Sequence, residues 1–540
     1  MPTQRITVFL LRKGITSFTD AIDKEKSFET IDTDSDSGVD GRFYYQYPKE
    51  KTPTWVGFIN PILQKNLPKI STATASALLL LKVNARIFAL TFGYGRSLLD
   101  LTKIEHQFGL RVAINSINPD QIRSLDTKSY EDLVVSTTTQ TSKSTELPTF
   151  NVDISSDILR AVTGEPRDDS FASRVAGSDS LVLNTSLTPH ELNNLCQKLL
   201  DLYEEDTYKE NFGWIDQLSV IQDPATIEKL DKKLVTSLRN GDVSTTHLAM
   251  PENIDWKDIS GFQITGTRKH IFDELDLEDY LSRLKDRKDL DLGLLKNRYI
   301  SVKYSRSGGK DKRWSLYQCL VSEQRVDKNL YVLIENQWFA VADSLVEEVD
   351  NFVESLPIPN VDLPSANSGE TEPDYNNRIT KDSLGNLLKL DAKIKRPGGA
   401  SSGIEFCDAL TKDGELIHIK RKARSSTLSH LFAQGSVSAM TFMSDGYYRD
   451  EIRKMVSNSV ENEKADDWLQ LIPDSESTVD RERYTVAYAV ITNTPKRVTN
   501  SQTNKRNDWL PFFSKLNLMQ QGKQLRTMGF QLALARIPVV

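Results

Sequence analysis

The stretch whose reading decides the fold runs Gly403-Ile404-Glu405-Phe406-Cys407-Asp408-Ala409-Leu410-Thr411-Lys412-Asp413-Gly414-Glu415-Leu416-Ile417-His418-Ile419-Lys420-Arg421-Lys422. Two β-prone runs flank Asp413-Gly414, a pair that favours a tight turn, so the segment predicts a β-hairpin. Side chains alternate between the faces of a strand, which places His418, Lys420 and Lys422 on one face and Ile417 and Ile419 on the other. The apolar face is expected to pack on helices. The polar face is expected to hold His418 and Lys420 near Asp408 on the neighbouring strand.

Working outward, the region from Glu372 to the end reads helix, strand, strand, strand, helix, strand, helix, strand. Its first helix is expected over Glu372 to Leu388, with strand character beginning at Leu387. A carboxylate beside a lysine on paired central strands suits phosphodiester hydrolysis. The carboxylate holds a divalent cation, which activates water and offsets phosphate charge. The lysine orients the water or stabilises charge developing on the phosphoryl oxygens. The run Lys420-Arg421-Lys422-Ala423-Arg424 offers three further cations, Arg421, Lys422 and Arg424, to a phosphate backbone.

Before this region, Glu354 to Asp374 carries four prolines (357, 359, 364, 373), five acids and no basic residue. That composition marks a domain boundary. The chain is expected to be a multidomain α/β protein: an α/β domain over 1–135, a mainly helical domain over 146–290, a β-rich region over 291–353, an acidic Pro-rich linker over 354–371 and the C-terminal domain over 372–540. Strands are expected at 5–11, 43–47, 54–59, 77–83, 86–92 and 110–115, and a short helix at 17–24. Ser136 to Thr145, with eight Ser or Thr in ten, reads as a loop or linker. From about 150 to 290 the pattern is helical, and Thr188-Pro189-His190-Glu191 carries the signature of a capped helix start. Further strands are expected at 299–304, 314–321 and 329–335. Phe92-Gly93-Tyr94-Gly95-Arg96 lacks the third glycine and the following helix of a phosphate cradle, and reads as a tight turn.

Composition narrows the function classes. Of 540 residues, 38% are hydrophobic and 26% charged, close to ordinary globular usage, which excludes a disordered or collagen-like chain. A net charge of -7 excludes a histone-like coat for DNA but not a local basic channel. Cys196, Cys319 and Cys407 are too far apart for a CxxC motif and are expected to be free thiols in a reducing cytoplasm. The run Ala77 to Leu81 is cut by Lys82, far short of the roughly 20 residues a membrane span needs, and no secretory signal opens the chain. A cytoplasmic protein without a membrane partner is expected.

The C-terminal pattern resembles the restriction-endonuclease-like, PD-(D/E)xK nuclease superfamily: an acid at one strand's end, a hairpin, then acid-x-Lys. The resemblance implies a mixed sheet flanked by helices. It makes Asp408 the first acid and Lys420 the lysine, with eleven residues between them. It implies Mg²⁺ or Mn²⁺ held by Asp408, with Glu405 or Glu372 as a second acid. His418, where the pattern has an acid, becomes a ligand or a phosphate contact. Glu405 or Glu415 is the substitute carboxylate if the strand is bulged. His430 and Gln434 on the following helix would support the site. The whole chain is also similar to a sporadically distributed, uncharacterised bacterial family, through Phe88 to Arg96, Phe108 to Asn115, Ile417 to Lys420 and Leu428 to Gly435. Sporadic occurrence implies a role against foreign or phage DNA, with the domains before 372 recognising nucleic acid, a phage component as trigger or a second copy of the chain in a homo-oligomer. The alternative is a nucleic-acid-binding or sensor protein that keeps the fold without the chemistry.

Overall fold

A computed structural model describes residues 4–540 apart from 48–49, 131–133, 151, 153–156, 169, 171, 252–258, 268–269, 305–312, 384, 392, 395–402, 423–425, 460–461 and 494–506. The chain is mixed α/β with several sheets. Its contacts group into two units, one built from 1–128 and 135–216, the other from 217–540 with 129–134.

The first unit is organised by a ten-stranded sheet. In spatial order its strands are Glu29–Asp32, Gly41–Gln46, Ser76–Val83, Arg86–Gly93, Gln4–Leu10, Leu181–Thr185, Arg174–Gly177, Asp157–Pro166, Ile117–Tyr130 and Val134–Thr145. The expected strand at 110–115 is instead the helix Phe108–Ser116. Eight of its nine residues are buried, and an apolar run buried on every side carries no period to separate helix from strand. The helix rests directly on the sheet through two glycines. A Cβ on Gly109 would fall 2.0 Å from the Ser180 carbonyl oxygen, and one on Gly177 would fall 2.0 Å from that of Gly109.

Three other expectations are corrected. Ser136 to Thr145 is strand, not loop. It lies at the edge of the sheet, where a half-exposed polar strand needs little apolar burial and threonine favours the extended backbone. The segment Thr54–Ile59 is a short helix rather than a strand. The stretch from 150 to 290 is not uniformly helical, since 157–166, 174–177, 181–185, 246–248 and 259–264 are strands. The capped start does form: Thr188 and Glu191 make a capping box, with Glu191 accepting from the Thr188 N–H at 2.8 Å, ahead of the helix Leu192–Glu204.

The second unit begins with two antiparallel sheets sharing a core with the helix Pro224–Arg239. Asp231 on that helix is buried and accepts from the Tyr317 hydroxyl and, at 2.8 Å, from the Trp338 indole. After the helix Asp343–Glu354, the Pro-rich stretch runs along the last strand of the chain. Pro357 accepts from the Leu534 N–H at 2.9 Å, and Ala366 donates to Pro538 at 2.9 Å.

The C-terminal sheet has five strands in the order Leu387–Lys389, Ala409–Thr411, Glu415–Arg421, Thr485–Ile491, Gln531–Ile537. The first three pair antiparallel and the last two join in parallel. The expected hairpin is present, with Ala409 opposite Ile417 and Gly414 at φ +85 in its turn. The first helix ends earlier than expected, at Asp382. Both faces of the sheet are covered. Tyr375 and Ile379 of the helix Glu372–Asp382 pack on Ile417, Ile419, Ala487 and Ala489. Leu428, Leu431 and Phe432 of the helix Ser426–Ser444 pack on Leu416, Tyr488 and Leu534. The expected division of the hairpin strand into an apolar and a polar face is therefore corrected: from Glu415 to Ile419 every residue is buried. A central strand between parallel and antiparallel neighbours, roofed by helices on both sides, has no solvent face.

The helix Phe512–Thr527 ties this sheet to the preceding ones. Glu323, from the strand Leu320–Val326, accepts from the N–H groups of Phe512 and Phe513 at 2.8 Å each, satisfying two orphan donors of the helix start. One turn in, Lys515 meets Asp350 at 2.8 Å, with side chains 2% and 3% exposed. Asp508 stands further off, 3.6 Å from the same ammonium, so removing the lysine takes the cation from two carboxylates at once. Lys515→Met alone is expected to cost about 3–5 kcal/mol of unfolding free energy, and Lys515→Met with Asp350→Leu to regain most of it. Urea denaturation followed by tryptophan fluorescence checks both, and equal losses in the single and double variants would contradict the assignment.

Candidate metal centre

Asp408 sits immediately before the strand Ala409–Thr411, where its backbone N–H still bonds the Ile417 carbonyl at 2.9 Å. Its side chain turns into the domain and is 5% exposed. One carboxylate oxygen accepts from the Ile419 N–H at 2.7 Å, the other from the Asn376 amide at 2.9 Å. Asn376 is itself 1% exposed on the helix Glu372–Asp382. These two donors fix the orientation of the acid.

Two more carboxylates converge on it. One oxygen each of Asp391, Glu405 and Asp408 lies within 4.8 Å of the others. Asp391 follows the first strand of the sheet, where Leu390 donates to the Asp408 carbonyl at 3.0 Å. Glu405 is brought in by a two-stranded ribbon in which Lys393 opposes Glu405 and Ile394 opposes Ile404. The Ser438 hydroxyl, from the helix Ser426–Ser444, bonds the Phe406 carbonyl and holds the ribbon's exit.

Electrostatics follow from this crowding. Burial pushes Asp408 up to about 8, and the charges of Glu405, Glu372 and Asp391 push the same way, against the lowering effect of the Ile419 N–H. Lys420 is 2.9 Å from Glu372, whose second oxygen accepts from the Arg421 N–H at 3.2 Å. Burial alone lowers the Lys420 ammonium, but the bond to Glu372 and the charges of Glu372, Asp408 and Glu405 leave it above its ordinary value. The result is a half-buried ammonium facing a group of acids. An all-oxygen, carboxylate-rich donor set of this kind matches Mg²⁺ or Mn²⁺ rather than zinc.

The residues singled out in the sequence divide accordingly. Asp408, Glu405 and Lys420 come together, with Glu372 as the partner of Lys420. His418 does not join them. Its ring is wholly buried on the face carrying Leu416, 6.0 Å from the Tyr488 ring, and both nitrogens lack a hydrogen-bond partner among the described residues. Burial pushes it down to about 4, so the ring is neutral. Glu415 lies at the far end of the strand, accepting from the Asn360 and Val361 N–H groups at 2.7 and 3.4 Å. On the following helix His430 is exposed and Gln434 half-buried, and no hydrogen bond found here ties either to the acids. Arg421 donates to the Asn367 carbonyl at 3.4 Å, and the Lys422 N–H bonds Ile491 at 2.8 Å. Arg424 lies outside the described residues. Asp391 was missed in the sequence. Its only local signal is an acid directly after the apolar run Leu387-Leu388-Lys389-Leu390.

Asp408 binds its proton more tightly in the folded chain than in the unfolded one. It therefore stabilises the fold fully below about pH 4, and that contribution is lost as the pH rises through about 8. Asp408→Asn removes this slope. Without added metal, the variant is expected to denature at higher urea than the parent at pH 9, the gap closing toward pH 5, and an unchanged pH dependence would refute the buried acid.

No curated protein and no solved structure matches the chain. The sequence profile of a family of unknown function (DUF6119) matches residues 6–538, and the chain belongs to that family.

Proposed function

We propose that the C-terminal domain is a metal-dependent nuclease with a restriction-endonuclease-like core. The observation that carries this reading is the convergence of Asp391, Glu405 and Asp408 beside Lys420. The element order supports it: helix 372–382, three antiparallel strands, helix 426–444 and, after two further helices at 446–459 and 462–469, a parallel strand. Asp408, Glu405 and Asp391 would hold Mg²⁺ or Mn²⁺, which supplies Lewis-acid stabilisation of phosphate charge and lowers the pKa of bound water. Lys420 would orient the attacking water or stabilise the phosphoryl oxygens, with Glu372 positioning its ammonium. Arg421 and Lys422 at the strand's end would contact the phosphate backbone. DNA as the substrate, and a role against foreign or phage DNA, rest on the resemblances to the nuclease superfamily and to a sporadic bacterial family. No helix among the described residues is long and apolar enough to cross a membrane.

The second reading is a protein that binds nucleic acid without cutting it. A specific observation favours it: the position two before Lys420 holds a buried, neutral histidine instead of an acid. It predicts DNA binding that survives EDTA.

The test is a cleavage assay on the full chain with plasmid, linear duplex, single-stranded DNA and RNA, in Mg²⁺, Mn²⁺ or EDTA. Lys420→Ala and Asp391→Asn are each expected to lower cleavage by about 10²-fold or more. At subsaturating Mg²⁺ the rate is expected to rise with pH until about 8, because the metal displaces the Asp408 proton. Salt-sensitive DNA binding with no cleavage in either metal would select the second reading.

A further inference from the structure

A second candidate site lies in the four-stranded sheet region of the second unit, independent of the acidic cluster. A cavity of about 850 Å³ is lined by Gly266, His270, Arg283, Lys285, Asp289 and Arg298 among others. That volume is within the range that takes a nucleotide-sized ligand.

The lining charges are not all satisfied by one another. Arg283 is committed: it pairs with Asp279 at 3.0 Å and lies over the Phe272 ring at 5.6 Å. Asp286 is committed as well, accepting from the Lys288 N–H at 2.8 Å. Arg298 and Lys285 are in no ion pair found among the described residues, although Asp286 and Asp289 line the same cavity. Arg298 is held in place nonetheless. Its guanidinium donates to the Tyr280 hydroxyl at 2.7 Å and rests on the turn at Gly266, which has φ +96. A Cβ on that glycine would stand 3.1 Å from the guanidinium carbon. A side chain there would crowd the guanidinium by a few tenths of an ångström, and the left-handed backbone at this turn favours glycine in any case. A fixed, un-neutralised guanidinium at a cavity wall is a receptor for an oxyanion, since its planar donors match phosphate oxygens two at a time. Asp289 adds a carboxylate with no side-chain partner among the described residues, which repels phosphate but accepts from hydroxyls. His270, edge-on to Phe272 at 4.7 Å, adds a further ring nitrogen.

We propose that this cavity binds a phosphate monoester carried on a hydroxyl-bearing ring, a ribose phosphate or mononucleotide. Arg298 and Lys285 take the phosphate, and Asp289 takes the ring hydroxyls. Calorimetric titration of the full chain with AMP, ribose 5-phosphate, inorganic phosphate and adenosine, at about 0.15 M salt, tests it. AMP and ribose 5-phosphate are expected to bind with Kd on the order of 100 µM, inorganic phosphate roughly tenfold more weakly, and adenosine not detectably. Tighter binding of AMP than of ribose 5-phosphate identifies a nucleotide as the ligand, and equal binding a sugar phosphate. Arg298→Gln and Lys285→Gln are each expected to weaken AMP by roughly tenfold, and Asp289→Asn to weaken ribose 5-phosphate but not inorganic phosphate. Lys285 is exposed, so its variant keeps the test decisive if Arg298→Gln unfolds. No binding of either phosphate ester at millimolar concentration overturns the proposal, as does AMP binding unaffected by Lys285→Gln. Inorganic phosphate binding as tightly as AMP overturns the role of the ring.

Discussion

A carboxyl group buried among other carboxyl groups is the constraint around which the C-terminal domain is arranged. Asp408 has the Ile419 N–H and the Asn376 amide as donors, and three acids within electrostatic reach. Neither donor offsets a full negative charge, so the group keeps a proton near neutral pH unless a cation arrives. Every element near it serves that arrangement. The hairpin delivers the Ile419 N–H, the helix Glu372–Asp382 brings both Asn376 and Glu372, and the ribbon at 393–405 brings Glu405. A fold that crowds acids this way forgoes stability at neutral pH, and strain of that kind concentrates where binding or chemistry is done.

The helix Ser426–Ser444 shows how backbone and side chain share the packing on the other face. Gly435 in its middle lowers helix propensity by about 1 kcal/mol relative to alanine. A Cβ there would fall 2.5 Å from the Tyr488 hydroxyl, so the glycine admits the ring, which then bonds the Phe432 carbonyl at 2.7 Å. Tyr488 in turn lies 6.0 Å from the His418 ring, and the imidazole that the strand presents to this face is wholly buried.

What the sequence made legible was local. The hairpin at 409–421 follows from Asp413-Gly414 and two β-prone flanks, and the capping box at Thr188 and Glu191 from a four-residue signature. Asp408, Glu405 and Lys420 were readable because the hairpin and its approach carry all three. Asp391 was not, because it reaches the cluster through the pairing of strand 387–389 with strand 409–411 and the Leu390–Asp408 bond, which no local pattern announces. His418 was misplaced for a related reason. Alternation reports which residues share a face, but not that a helix covers each face. The same limit turned the buried helix Phe108–Ser116 into an expected strand, and the polar edge strand Val134–Thr145 into an expected loop.

The carboxylate of Glu323 reaches across 189 residues of sequence to hold the start of the helix Phe512–Thr527, and Asp350 holds its second turn through Lys515. The acid-bearing sheet and the region containing the cavity are thus bound by charges that neither can leave unanswered. For this chain it means that neither part can be exchanged without the other. A recombination event that joined this C-terminal domain to a foreign partner would leave the helix start without Glu323 and the buried Lys515 ammonium with only the more distant Asp508, 3.6 Å away. The strand 320–326, the helix 343–354 and the helix 512–527 are therefore expected to tolerate substitution at Glu323, Asp350 and Lys515 only in concert.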